Sequence, residues 1–203
     1  MTAYKNFIID FGGVLYRINE SRTVNAFKEI SNLSEQEYYL LIKTDEFNDI
    51  IVDFEKGILN GKQYFEEMKD KLNLNCEFEV FKNSWNMTLL SLFDNAIENI
   101  KMLKEKGSVV LLSNTNDIHY NKFEPECNEL FSLFDKCYFS FKLGMRKPDT
   151  EFFKYVVEDR IYAKETTIFI DDSAINLKSA KEFGLGTFKI GEKGIDEFIN
   201  YLK

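Results

Sequence analysis

Near its start the chain reads Phe7-Ile8-Ile9-Asp10-Phe11-Gly12-Gly13-Val14-Leu15. Three apolar residues run straight into an acid, and two glycines follow. An apolar run bounded by glycine predicts a buried strand that ends in a carboxylate and a tight turn. In open α/β sheets ligands bind beyond the carboxyl ends of the strands, which puts Asp10 where chemistry takes place. Three later stretches end strands in other reactive groups. Residues 109–112 (Val-Val-Leu-Leu) run into Ser113-Asn114, a short strand at 137–140 precedes Leu143-Gly144-Met145-Arg146-Lys147-Pro148, and residues 167–170 end in Asp171-Asp172. A last strand is expected at 187–190.

Helices are expected between these strands. Asp94 is placed to cap a helix whose Ala96, Ile100 and Leu103 share one face; Lys104 and Lys106 suit its last turn and Gly107 its left-handed stop. Pro125 predicts a loop. Asp149 is expected to cap the helix carrying Phe152, Tyr155 and Val156, and the helix at 174–183 to stop at Gly184. Short apolar strands alternating with helices imply a parallel sheet with right-handed crossovers. Residues 17–90 show no such strand. Val24, Phe27 and Ile30 fall on one helical face, as do Tyr38, Leu41 and Ile42, then Tyr64, Phe65, Met68 and Leu72, then Phe78, Phe81 and Trp85. Asn60-Gly61 and Asn73 punctuate them. The expected organisation is an α/β domain at 1–16 and 91–203, with about four amphipathic helices inserted at 17–90.

At 203 residues the chain can bury a substantial core. Its net charge of −8 and the absence of a Lys/Arg stripe argue against a nucleic-acid partner and leave any phosphate site to local groups. Cys76, Cys127 and Cys137 have neither zinc nor disulfide-framework spacing and fit a reducing, cytoplasmic setting. No run reaches membrane-spanning length, so no membrane partner is expected, and the expected state is a monomer or weak homodimer.

A parallel sheet brings its strand ends to one edge. Carboxylates from two strands can hold Mg²⁺, which favours oxygen ligands. Ser113, amide N–H groups near Gly12, and Lys147 can hold phosphate oxygens. His119 is the only histidine, which leaves no two-histidine metal site and no evident Ser-His-Asp triad. Close to Ser113 in sequence, it could line the mouth facing the inserted helices, but a surface or packing role is expected for it. Arg22 and Arg146 could reach an anionic or sugar substrate, but surface ion pairs are expected for both.

Four stretches, Asp10–Leu15, Leu112-Ser113-Asn114-Thr115-Asn116, Leu143–Pro148 and Phe169-Ile170-Asp171-Asp172-Ser173-Ala174-Ile175-Asn176, resemble in order the motifs of the haloacid dehalogenase-like superfamily. The likeness is to its phosphatase branch with a helical cap, nearest to bacterial sugar-1-phosphate phosphatases and the phosphatase domain of soluble epoxide hydrolases. Phe54-Glu55-Lys56-Gly57-Ile58 and Trp85 resemble that branch more loosely. The resemblance implies a doubly wound parallel sheet of order 3-2-1-4-5 with an inserted helical-bundle cap. It implies a Mg²⁺-dependent hydrolase of a small phosphorylated metabolite, with Asp10 attacking phosphorus to give an aspartyl-phosphate. An Asp10 oxygen, the Gly12 carbonyl and Asp172 would hold the metal. Ser113 and Asn114 would bind the transferring oxygens, Lys147 would neutralise the phosphate and Asp10, Asp171 would orient Lys147 or a metal water, and Asn176 would support them. One departure stands out. Most phosphatases of the superfamily carry an acid–base Asp two residues after the nucleophile, where this chain has Gly12; the sugar-1-phosphate branch tolerates Gly there. Two rivals follow: a metal-free 2-haloacid dehalogenase, against which the clustered acids argue, and a non-catalytic metabolite-binding relative. A phosphomutase fits less well, since it leans on the missing acid.

Overall fold

A computed structural model describes residues 4–202. The first strand, β1 (Asn6–Ile9), ends where the apolar run ends. Beyond it β2 (Tyr16–Ile18) leads into five helices: α1 (Glu20–Ile30), α2 (Glu35–Leu41), α3 (Asp45–Glu55), α4 (Gly61–Lys71) and α5 (Phe78–Trp85). The chain returns through β3 (Leu89–Leu92) to α6 (Ala96–Lys104), β4 (Ser108–Ser113), α7 (Asp117–Ser132), β5 (Lys136–Phe139) and α8 (Ser140–Leu143). It closes with α9 (Thr150–Arg160), β6 (Thr167–Asp171), α10 (Ala174–Phe183), β7 (Gly186–Lys189) and α11 (Asp196–Tyr201).

Five strands form one parallel sheet in the order β5-β4-β1-β6-β7. Counting only these five along the chain, that is the expected order 3-2-1-4-5. β1 lies at the centre with both faces covered, which is why it reads as an unbroken apolar run. Its side chains alternate between two cores. Phe7 and Ile9 pack with Ile100 and Leu103 of α6, Phe123 and Leu130 of α7, and Phe198 of α11. Ile8 packs on the opposite face with Phe152 and Val156 of α9 and Leu177 and Ala180 of α10. A third apolar cluster belongs to the inserted helices, where Phe27, Phe54, Tyr64, Met68 and Phe81 meet, joined by Ile118 of α7.

Several local expectations are corrected. The chain enters and leaves the insertion as a two-stranded antiparallel ribbon, β2 on β3, with Tyr16 opposite Leu92 and Arg17 opposite Ser91. The inserted helices number five, because α3, capped by Thr44 accepting from the Phe47 N–H, was not expected. Asp94 does not cap α6; Asn95 precedes the helix, and Asp94 instead pairs with Arg17 at 3.2 Å, tying the ribbon down. Lys106 lies past the end of α6. Gly107 is not a left-handed stop. A Cβ there would lie 2.0 Å from the Lys5 carbonyl oxygen, so glycine is needed for the close passage of two backbones. Pro125 sits inside α7, on its exposed side. The carbonyl it strips of a partner, that of Asn121, belongs to an exposed residue that water can reach. Asp149 occupies the cap position of α9 without a side-chain cap bond, because its carboxylate reaches Lys56 at 2.8 Å. Among the described residues no helix is long and apolar enough to cross a membrane.

Candidate active site

The carboxyl edge of the sheet carries a cleft of about 580 Å³, roofed by the inserted helices and lined by Asp10, Gly12, Ser113, Asn114, Lys147, Asp172 and Asn176 among others. β1 delivers Asp10, whose N–H donates to the Ile170 carbonyl at 3.0 Å. Beyond it the chain turns sharply: Gly13 takes φ +75° and its N–H donates to the Tyr16 carbonyl at 2.8 Å. That turn is also a platform. The Asp172 carboxylate lies so close over Gly13 that a Cβ there would sit 2.2 Å from Oδ2.

Lys147 is the hub. Its ammonium is buried, 2.6 Å from Asp10 Oδ1 and 2.8 Å from Asp171 Oδ2. Burial works to discharge it, but the two carboxylates outweigh that and hold it protonated, above the ordinary lysine value. Asn114 clasps its backbone, accepting from the Lys147 N–H at 2.9 Å and donating to the Lys147 carbonyl at 2.8 Å. The Asn114 side chain is thus engaged on the Lys147 backbone. Ser113 is buried, and its hydroxyl makes only a 3.3 Å bond to the Asn114 carbonyl.

Asp171 is fully committed. Besides Lys147, it accepts from the Ser173 N–H at 2.7 Å and from Asn176 Nδ2 at 3.2 and 3.1 Å. Asp10, Asp171 and Asp172 bring carboxylate oxygens within 4.8 Å of one another. Burial pushes Asp10 up to about 7, against the pull of Lys147 and with the repulsion of Asp171 and Asp172 added. Asp172 is raised by burial and by Asp171. Three acids facing one lysine leave negative charge in want of a cation, and an all-oxygen donor set suits Mg²⁺. The residues present therefore fit the metal.

The remaining candidates separate. Arg22 is exposed on α1. Arg146 pairs with Glu55 of α3 at 2.9 Å, a core-to-insertion contact. His119 faces the cleft instead of the outer surface, stacked on Trp85 at 5.0 Å with both ring nitrogens engaged, by Asn116 and by the Trp85 carbonyl. Glu55, which the sequence offers only within the loosely matching stretch Phe54–Ile58 and with no role of its own, lines the cleft from the inserted bundle. The signal available was the glycine two residues on. Gly57 takes φ +69°, and a Cβ there would lie 2.1 Å from the Phe141 carbonyl oxygen, so the stretch is built to dock against the α/β core.

The match to known proteins settles the family. Residues 4–184 match the haloacid dehalogenase-like hydrolase family. The chain belongs to that family and is a hydrolase. It is 29% identical over 199 residues to a D-ribitol-5-phosphate phosphatase of Bacteroides thetaiotaomicron, covering 95% of this chain and 94% of the relative. It is 25% identical over 187 residues to a sesquiterpene phosphatase of Aspergillus oryzae, covering 91% and 88%. A solved haloacid dehalogenase family enzyme of Bacteroides thetaiotaomicron, in complex with magnesium and inorganic phosphate, matches at TM-score 0.80 and 31% identity, over 93% of this chain and 95% of that one.

Proposed function

We propose that this family member is a Mg²⁺-dependent phosphomonoesterase acting on a small phosphorylated polyol or sugar through an aspartyl-phosphate on Asp10. The observation that carries this reading is the placement of Lys147, buried between Asp10 at 2.6 Å and Asp171 at 2.8 Å while Asp172 stays beside them. Lys147 steadies Asp10 as an anion and presents positive charge to an incoming phosphate. Asp171, saturated by Lys147, Asn176 and Ser173, acts as an orienting anion, which leaves Asp172 for a metal together with an Asp10 oxygen and the Gly12 carbonyl. Mg²⁺ bound there offsets repulsion between carboxylate and phosphate and stabilises charge in the transition state.

Asp10 then attacks phosphorus, and the ester oxygen leaves with its electron pair. The Ser113 hydroxyl and the backbone N–H of Asn114 bind the transferring oxygens. Water attacks the aspartyl-phosphate in a second step and frees Asp10. Residues 17–90 serve as a cap that excludes water during the first step, over a core of residues 1–16 and 91–203. The polyol-phosphate and terpenoid phosphatases among the relatives support a phosphate ester as substrate.

The test is hydrolysis of an aryl phosphate by the wild type with Mg²⁺, by the wild type with chelator, and by Asp10→Asn. Activity is expected only in the first. Undiminished hydrolysis in either of the others removes the aspartyl-phosphate mechanism. Chloride release from 2-chloropropionate, without phosphatase activity, would favour the dehalogenase instead.

A further inference from the structure

Phosphoryl transfer from an alcohol needs a proton for the departing oxygen, and Gly12 offers no side chain to give one. Beyond Asp10, Asp172 and Lys147, the titratable groups lining the cleft are Glu20, Glu55 and His119. His119 is not suited: Asn116 engages one ring nitrogen and the Trp85 carbonyl the other, and burial presses its proton affinity down to about 4. Glu20 is exposed at the start of α1. Glu55 is different. It enters from the last turn of α3, half-buried, with Arg146 Nη2 2.9 Å from Oε2. The groups that act on it are Arg146 and Lys147 from the core, Glu20 from α1 and the buried Tyr64 hydroxyl from α4. Burial, the largest influence, raises its affinity for a proton, and the two cations only partly oppose this.

We propose that Glu55, carried on the inserted bundle, is the residue that protonates the leaving group and then deprotonates the attacking water; the proposal rests on the phosphatase reading above. In the first step Asp10 forms a bond to phosphorus and the bond from phosphorus to the ester oxygen breaks. That oxygen keeps the electron pair and takes the Glu55 proton, leaving as an alcohol. Glu55 is left as a carboxylate facing Arg146. In the second step a water oxygen bonds to phosphorus while Glu55 takes its proton. The bond from phosphorus to Asp10 breaks, releasing phosphate, and both carboxyl groups return to their starting states. The acid therefore reaches the substrate only when the bundle is docked. Lys56–Asp149 at 2.8 Å and the passage of Gly57 beneath Phe141 hold α3 in that position.

The test measures single-turnover phosphoenzyme formation with Mg²⁺ against leaving-group pKa, across aryl and alkyl phosphates, in the wild type, Glu55→Gln and Arg146→Gln. Wild-type rates should depend weakly on leaving-group pKa. Glu55→Gln should lose about 10²–10⁴-fold on alkyl phosphates and no more than about threefold on aryl ones, steepening the slope. Arg146→Gln breaks the same ion pair but keeps the acid, so its slope should stay shallow. An equal loss across the series in Glu55→Gln overturns the proposal, as does an equal steepening in Arg146→Gln, since either outcome means that Glu55 only docks the bundle. A steep wild-type slope also overturns it, because no acid is then at work. Aryl hydrolysis that ignores Asp10→Asn or chelator overturns the phosphatase reading itself, so the two failures are told apart.

Discussion

At the scale of single residues, the site is built by side chains that hold one another and by glycines that let them approach. Gly13 and Gly144 make a controlled pair. Both take left-handed backbone, φ +75° and +70°, but a Cβ on Gly13 would strike Asp172, whereas a Cβ on Gly144 would meet nothing within 4 Å. Alanine at either position should cost about 1–2 kcal/mol for the left-handed conformation alone, read from urea midpoints. Only Gly13→Ala should also displace Asp172. Its Mg²⁺ requirement, titrated through aryl phosphate hydrolysis, should rise roughly 10–100-fold, the usual range when support for a metal ligand is lost. A similar rise in Gly144→Ala, or none in Gly13→Ala, would detach Asp172 from the metal. Lys147 and Asp10 were legible in the sequence as reactive groups at strand ends. The Asn114 clasp was not, since it joins side chain to backbone across 33 positions and leaves no pattern in either stretch.

At the scale of elements, the seam between α5 and α7 carries a pH dependence. His119 on α7 stacks on Trp85 and is pressed down from the ordinary 6.5 to about 4 by burial, with its bond to the Trp85 carbonyl opposing. Its folded value lies below its unfolded one, so the fold favours the neutral ring. That contribution is whole above about pH 6.5 and falls away as pH drops towards 4, by at most about 1.4 kcal/mol per pH unit. Urea midpoints at pH 7 and pH 4.5 should therefore fall further apart in the wild type than in His119→Gln. Parallel declines would mean that the ring is already free to charge. The same elements explain what the sequence revealed. Buried inner parallel strands are contiguous apolar runs, so β1, β4 and β6 declared themselves, while the only partly buried edge strands β5 and β7 were read to within one residue at each end. The ribbon was hidden because β2 has three residues and its partner lies some seventy positions on. The helix α3 was readable after all, with Phe47, Ile51 and Phe54 at helical spacing behind Thr44. Pro125 misled because a proline's cost in a helix depends on where the stripped carbonyl faces, which sequence alone does not state.

At the scale of the whole molecule, the groups proposed to hold phosphate lie on the sheet edge, and the side chains placed to meet the rest of a substrate lie on the bundle. Val24, Ile51 and Trp85 face the cleft together with the polar Thr23 and Asn48. Replacing residues 17–90 with the corresponding segment of a related family member should reorder a panel of phosphorylated polyols, sugars and terpenoid alcohols while preserving Mg²⁺ dependence. An unchanged order would return selectivity to the core. The junction makes such an exchange feasible. Arg17 and Ser91 are cross-strand neighbours in the β2–β3 ribbon, so the 73 residues between them begin and end at one spot on the core. A segment that leaves and rejoins its host at paired positions is close to a self-contained cassette. Ancestral genes could lengthen, shorten or trade it with no strand of the main sheet changing its neighbours, leaving Asp10, Lys147 and Asp172 in place while the proton-transferring Glu55 travels with the cassette.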